Sequence, residues 1–129
     1  MPSFTDTAVS RGAPEEVWKL LYDASRFPDW WVGVETVEVT GAGEYTMYPN
    51  GYPDFPMPQL LQTQQGEHRV TVSCLVSDLH FEWQLEPDGD GTRITVDVEI
   101  PEAEAQRLDG QRDTIRSSMR RLADLAGGP

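Results

Sequence analysis

Between residues 34 and 100 the side chains alternate between apolar and polar, and clusters of turn residues separate the alternating runs. A period of two is the mark of strands with one buried face, and hairpins among them can be tested by asking which register gathers the apolar residues. With Ser77-Asp78 as a two-residue turn, Val76 faces Leu79, Cys74 faces Phe81, Val72 faces Trp83 and Val70 faces Leu85. The other face then pairs Leu75 with His80, Ser73 with Glu82, Thr71 with Gln84 and Arg69 with Glu86. The turn Pro87-Asp88-Gly89-Asp90-Gly91 has strong turn chemistry, because Gly accepts positive φ and Asp bonds local amides. It sets Leu85 by Ile94, Trp83 by Val96, Phe81 by Val98 and Leu79 by Ile100, with Glu86 opposite Arg93 and Glu82 beside Asp97. Gly41-Ala42-Gly43 sets Val39 by Tyr45 and Val37 by Met47, and Gly66-Glu67 sets Thr63 near Val70 and Leu61 near Val72. The expected product is an antiparallel sheet with one apolar and one wet face.

Around this meander stand an extended segment at 3–10, a helix at 13–22 started by Pro14, the sequence Phe27-Pro28-Asp29-Trp30-Trp31, and a long helix at 104–126. The last helix shows an inward stripe at Leu108, Gln111, Ile115, Met119 with Ser118 beside it, Leu122 and Ala126. Its second half is apolar and should seal a core against the sheet. Its first half presents Gln111 and Arg112, polar groups that need water or a ligand. A cavity is therefore expected to open toward the N-terminal half of that helix.

The length, 129 residues, suits one α+β domain over 1–129. With 22 acidic and 10 basic residues the net charge is −12, which disfavours nucleic acid and anionic membrane surfaces as partners. The arginines Arg107, Arg112, Arg116, Arg120 and Arg121 share the last helix with Glu104, Asp109, Asp113 and Asp124, so its exposed face is mixed. No stretch approaches the ~20 apolar residues of a membrane span, so no membrane insertion is expected. Neither is a secretory signal. A single cysteine, Cys74, fits a cytoplasmic setting. The oligomeric state is open between monomer and homodimer.

The order of elements resembles the START/SRPBCC superfamily, and within it the polyketide cyclase/dehydrase and lipid-transport family. The resemblance is carried by Ala13-Pro14-Glu15-Glu16-Val17-Trp18, by Phe27-Pro28-Asp29-Trp30 leading into Gly33-Val34, by Phe81-Glu82-Trp83-Gln84-Leu85 and by Asp90-Gly91-Thr92-Arg93-Ile94-Thr95-Val96. It implies a helix-grip fold: a curved antiparallel β-sheet wrapped around a long C-terminal α-helix, with two short helices after strand 1. It also implies a deep apolar cavity, used in such relatives for lipid carriage, hormone sensing or ring closure of polyketide chains. Trp31 stands where many relatives carry a smaller or polar residue, and it is expected to narrow one end.

Tyr45, Met47, Leu61, Val72, Cys74, Phe81 and Trp83 share the inward face with the last helix. Each is equally at home as core filling, but together with Trp31, Ile115 and Met119 they are the expected cavity lining. The Trp83 indole N–H needs a partner if buried, and a ligand oxygen is one candidate. Tyr48, Tyr52, Phe55 and Met57 lie in or beside the Pro-rich segment 49–58, either a lid over the mouth or a loop packed on the sheet edge. Gln111 is the foremost polar candidate. Arg112 either reaches a ligand carboxylate or carbonyl, or turns to solvent beside Asp109 or Asp113. His68 at a hairpin end is a possible acid–base group or a surface histidine, and His80 lies outward near Glu99. No CxxC or HExxH spacing is present, so no metal and no cofactor is expected. The leading expectation is binding of a small hydrophobic ligand (lipid, polyketide or aromatic metabolite). The alternative is a polyketide cyclase or dehydratase acting on a ketone chain in the same cavity.

Overall fold

The computed structural model describes residues 3–49, 51, 52, 54–64, 66, 68–75 and 79–127. Its strands are β1 (Ser3–Ser10), β2 (Val34–Gly41), β3 (Glu44–Pro49), β4 (Met57–Gln64), β5 (Arg69–Cys74), β6 (His80–Asp88) and β7 (Gly91–Glu99). Helices α1 (Pro14–Tyr22) and α2 (Phe27–Trp30) follow β1, and α3 (Leu108–Gly127) closes the chain. The strands form one antiparallel sheet in the order β1-β7-β6-β5-β4-β3-β2, so the two helices cross from one edge to the other. The curved sheet grips α3 in the helix-grip arrangement, with both short helices where they were expected.

Local chemistry accounts for the helix ends. Pro14 occupies the first turn of α1, where its missing N–H is not needed, and Glu15 and Glu16 sit at the positive end of the helix dipole. Asp23 leaves the helix in an extended conformation, and its side chain accepts from Ser25 N to start a short 3-10 turn. Gly33, with φ of +95°, reverses the chain from α2 into β2. A second 3-10 segment, Glu102–Arg107, precedes α3, so the long helix is α-helical only from Leu108.

The predicted registers hold for β2–β3, β4–β5 and β6–β7: Val37 pairs with Met47, Leu61 with Val72 and Trp83 with Val96. The β5–β6 register differs. Val70 pairs with Trp83 and Val72 with Phe81, two residues from the expected alignment. Cys74 N donates to Leu79 O at 2.8 Å, so the connection is longer than the two residues expected; Ser77 and Asp78 themselves lie outside the described residues. A shift of two leaves every side chain on its expected face, which is why the apolar pattern cannot detect it. On the outer face Arg69 consequently pairs with Glu82 at 3.1 Å rather than with Glu86. Arg69 thereby offsets the charge of Glu82 beside Asp97, and Thr5 Oγ1 donates to Asp97 at 2.5 Å. Val39 is in the predicted register beside Tyr45, yet it is 58% exposed, because the β2–β3 hairpin tip extends past the helices that cover the sheet.

The core lies between the inner sheet face and α1 and α3. Val17, Leu20 and Leu21 meet Ile115, Met119 and Leu122 over Val70, Leu85, Ile94 and Val96, all buried. At the C-terminal end of α3 the backbones nearly touch. Ser10 Oγ donates to Ala123 O at 2.7 Å and accepts from Gly12 N at 3.1 Å, while Thr92 Oγ1 donates to Gly12 O at 2.9 Å. A Cβ on Gly12 would overlap the carbonyl of Ala126. Gly12→Ala is thus expected to force α3 away from β1 and to cost about 1–3 kcal/mol, read as a lowered urea midpoint; an unchanged midpoint would show that this end yields freely.

Candidate functional site

The wall of the site begins with the turn that follows α2. Trp31 N donates to Phe27 O at 2.7 Å and Val34 N to Trp31 O at 3.1 Å, which fixes the tight reversal into β2. Val32 N donates to Ser118 Oγ at 2.9 Å, and Ser118 Oγ donates to Thr114 O at 2.7 Å. This two-bond chain pins the turn to the middle of α3. Trp31 is thereby held over the inner sheet face, stacked on Trp30 at 5.3 Å and edge-on to Phe81 at 5.1 Å and Trp83 at 5.4 Å. Phe27 adds edge contacts to Trp30 and to Tyr45, each at 5.5 Å. The result is a plug of aromatic rings between α3 and the sheet.

In front of the plug a cavity of about 300 Å³ remains. Its apolar walls are Trp31, Val32, Val34, Met47, Met57, Leu79 and Phe81, with Tyr45 at the back and Pro49 and Tyr52 at the rim. Polar atoms come from two sides. On α3 and the 3-10 segment before it, Arg107, Gln111 and Thr114 follow the i, i+4, i+7 spacing of one helix face. On the sheet, Gln59 and Cys74 are both buried and reach the cavity. Gln59 Nε2 donates to Met57 O at 3.2 Å, which leaves its carbonyl oxygen to accept. Burial pushes the Tyr45 phenol far above its ordinary pKa, and the neighbouring Cys74 adds to the shift. Tyr45 is therefore a neutral hydroxyl at every physiological pH. Arg107 is half exposed and lies 3.5 Å from Glu104.

Of the residues expected to line a cavity, the structure brings Trp31, Tyr45, Met47, Cys74, Phe81 and Gln111 together on this wall. Val72, Trp83 and Ile115 do not reach it: Trp83 is one of the rings of the plug, and Val72 and Ile115 are sealed in the core. The Trp83 indole N–H is buried with no hydrogen-bond partner among the described residues, and its ring packs edge-on against Trp30 and Trp31. Met119 is buried on the side of α3 that meets β1, and Leu61 lines a separate recess that Tyr45 also borders. Phe55 is not part of the cavity lining and is 52% exposed. Met57, read as part of the Pro-rich loop, is instead the first residue of β4.

Arg112 is the clearest correction. It is exposed, outside the cavity, with its guanidinium 5.6 Å from the Phe4 ring centroid. A helix turns about 100° per residue, so Arg112 cannot share a face with Gln111. Arg107 and Thr114 occupy that face instead, and sequence reasoning missed both. The signal was present in the spacing to Gln111, but Arg107 had been assigned to the mixed outer face. His68 stands at the β4–β5 turn with φ of +49° and its ring 5.7 Å from Trp18, and His80 Nδ1 meets Ser73 Oγ at 3.0 Å on the outer face. Neither histidine lines the cavity. Among the described residues no group of three or more His, Cys, Asp or Glu is placed to hold a metal ion, and no helix is long and apolar enough to cross a membrane.

A single curved sheet, a gripped helix and an apolar cavity between them define the helix-grip class. The profile of the family described as polyketide cyclase / dehydrase and lipid transport matches residues 1–127, and the chain belongs to that family. No curated protein matches it significantly. Among solved structures it is similar to XoxI from Bacillus cereus, with 17% identity, a TM-score of 0.77 and coverage of 95% of this chain and 94% of that one. It is similar to a Thermobifida fusca protein solved by solution NMR, with 14% identity, a TM-score of 0.80 and coverage of 98% and 94%. It also resembles the di-domain ARO/CYC BexL from the BE-7585A biosynthetic pathway, with 15% identity, a TM-score of 0.78 and coverage of 95% of this chain and 45% of that one.

The Val32–Ser118–Thr114 chain yields a direct test. Ser118→Ala leaves the part-buried Val32 N–H without its acceptor, a loss of about 0.5–1.5 kcal/mol. The urea midpoint should fall accordingly, and the Trp31 fluorescence should shift as the turn loosens. Titration of Tyr45 gives a second. Its folded pKa is raised, so its contribution to stability is complete below the ordinary phenol value of about 10 and falls as pH rises past it. Between pH 9 and 11 the wild type is expected to lose more stability than Tyr45→Phe; equal losses would show the phenol to be solvated.

Proposed function

We propose that the chain binds a small, largely apolar molecule of one or two fused rings in the cavity in front of the aromatic plug. The carrying observation is the cavity itself: about 300 Å³ with apolar walls and polar atoms confined to the α3 face, Gln59, Cys74 and Tyr45. That volume is about twice the ~150 Å³ apolar cavity that accepts one benzene ring, and it lies at the small end of ligand sites. Burial of the ring would supply most of the affinity. Gln111, Thr114 and the Gln59 carbonyl would orient its hydroxyl or carbonyl groups. Family membership and the likeness to BexL, named as an ARO/CYC protein, support a hydrophobic molecule of this kind.

Ring closure of a ketone chain is the second reading, and one observation favours it. The Tyr45 phenol lines the cavity, where its O–H can donate to a developing enolate oxygen. Such chemistry also needs a base. The described residues of the wall include no carboxylate and no imidazole, so binding stands first.

Calorimetric titration with 2-naphthol tests the proposal. Saturable binding is expected. Gln111→Leu should weaken it by about two- to tenfold, the worth of one hydrogen bond of about 0.5–1.5 kcal/mol. Thr114→Trp, which fills the cavity from α3, should abolish it, and Arg112→Ala should leave it unchanged. Absence of saturable binding, or an Arg112→Ala effect as large as that of Gln111→Leu, would overturn the assignment.

A further inference from the structure

A second, smaller space of about 220 Å³ also borders Tyr45, bounded by Tyr22, Ala24, Val39 and Leu61, with Asp23 and Glu44 in its lining. Tyr45 lines both this recess and the larger cavity in front. Its side chain is 4% exposed and is braced edge-on by Phe27, itself 1% exposed. The register places Tyr45 opposite Val39 on one strand and opposite Gln59 on the other. Val39 belongs to the recess and Gln59 to the cavity. The inner sheet surface thus continues from one space into the other, interrupted by this ring.

We propose that Tyr45 is the length-determining residue of the ligand site, a single-residue wall between the cavity and a recess able to take the tail of an elongated ligand. This rests on the ligand-binding reading above and sharpens it to compact molecules in the native chain. The hydroxyl is incidental to the role and the ring is not, so Tyr45→Phe and Tyr45→Ala separate the two. Removing the ring would join the spaces into one passage, along which Val39 and Leu61 offer apolar surface to a chain. The ligand class admitted would then change from compact rings to rings bearing an extended chain.

The test is a ladder of 4-alkylphenols, from 4-methylphenol to 4-octylphenol, titrated calorimetrically into the wild type and the variants. Each methylene that enters an apolar space raises affinity by about fourfold. In the wild type the rise is expected to stop where the chain reaches the ring, and Tyr45→Phe should stop at the same length. Tyr45→Ala should carry the rise several methylenes further. Tyr45→Leu, shorter but still apolar, serves in its place if Tyr45→Ala fails to fold by circular dichroism, and it too should extend the rise. A wild-type ladder that climbs without a break, or a break at the same length in the shortened variants, overturns the wall while leaving the binding site intact. Failure of the wild type to bind any phenol overturns the ligand-binding reading, and the wall with it.

Discussion

Edge-on packing of aromatic rings between α3 and the sheet is the constraint on which the site depends. Trp30, Trp31, Trp83, Phe27, Phe81 and Tyr45 meet at centroid separations of 5.1–5.5 Å, mostly tilted or perpendicular. That geometry sets positive ring edges against negative ring faces. Such a cluster resists compression, so it holds the first half of α3 away from the strands. It also consumes most of the room it creates. Only the space between the plug and the rim is left open, and the plug thereby decides both that a cavity exists and how small it is.

The two ends of α3 are treated oppositely, and this gives the fold its direction. Toward the C-terminus, Gly12 lets the backbones approach and Ser10 and Thr92 bond the Ala123 and Gly12 carbonyls and the Gly12 amide, so this end is closed. Toward the N-terminus the helix begins with a 3-10 segment, and its inward side chains are polar. Ser118 stands at the boundary, where it ties the Trp31–Val34 turn to the helix. A helix apolar throughout its inward face would collapse the open end onto Met47, Met57 and Leu79.

Much of this was legible in the sequence because it rests on periodicity. Strand faces, three of the registers and the polar first half of the last helix all follow from spacing. What stayed hidden has a physical reason in each case. A two-residue slip between β5 and β6 preserves every face, so Val72 against Phe81 looks as sound as Val72 against Trp83. The helical phase that brings Arg107 inward and turns Arg112 outward hangs on one residue of rotation at a 3-10 to α junction. The division of one apolar sheet face into cavity, plug and recess depends on where rings lean, and alternation carries no information about that. Tyr45, Leu61, Val72 and Trp83 are alike in pattern and end in four different surroundings.

The stacked indoles of Trp30 and Trp31 have an optical consequence. Their rings lie 5.3 Å apart and 19° from parallel, close enough for their electronic transitions to couple. Of the four tryptophans only Trp31 borders the cavity, while its partner is sealed in the core. Trp83 stands as close to both, 5.1 Å from Trp30 and 5.4 Å from Trp31, so one chromophore of a coupled indole trio faces the ligand space and the other two are fixed as its reference. Occupancy of the cavity becomes readable as a change in a near-ultraviolet dichroic couplet, with no label attached to the protein.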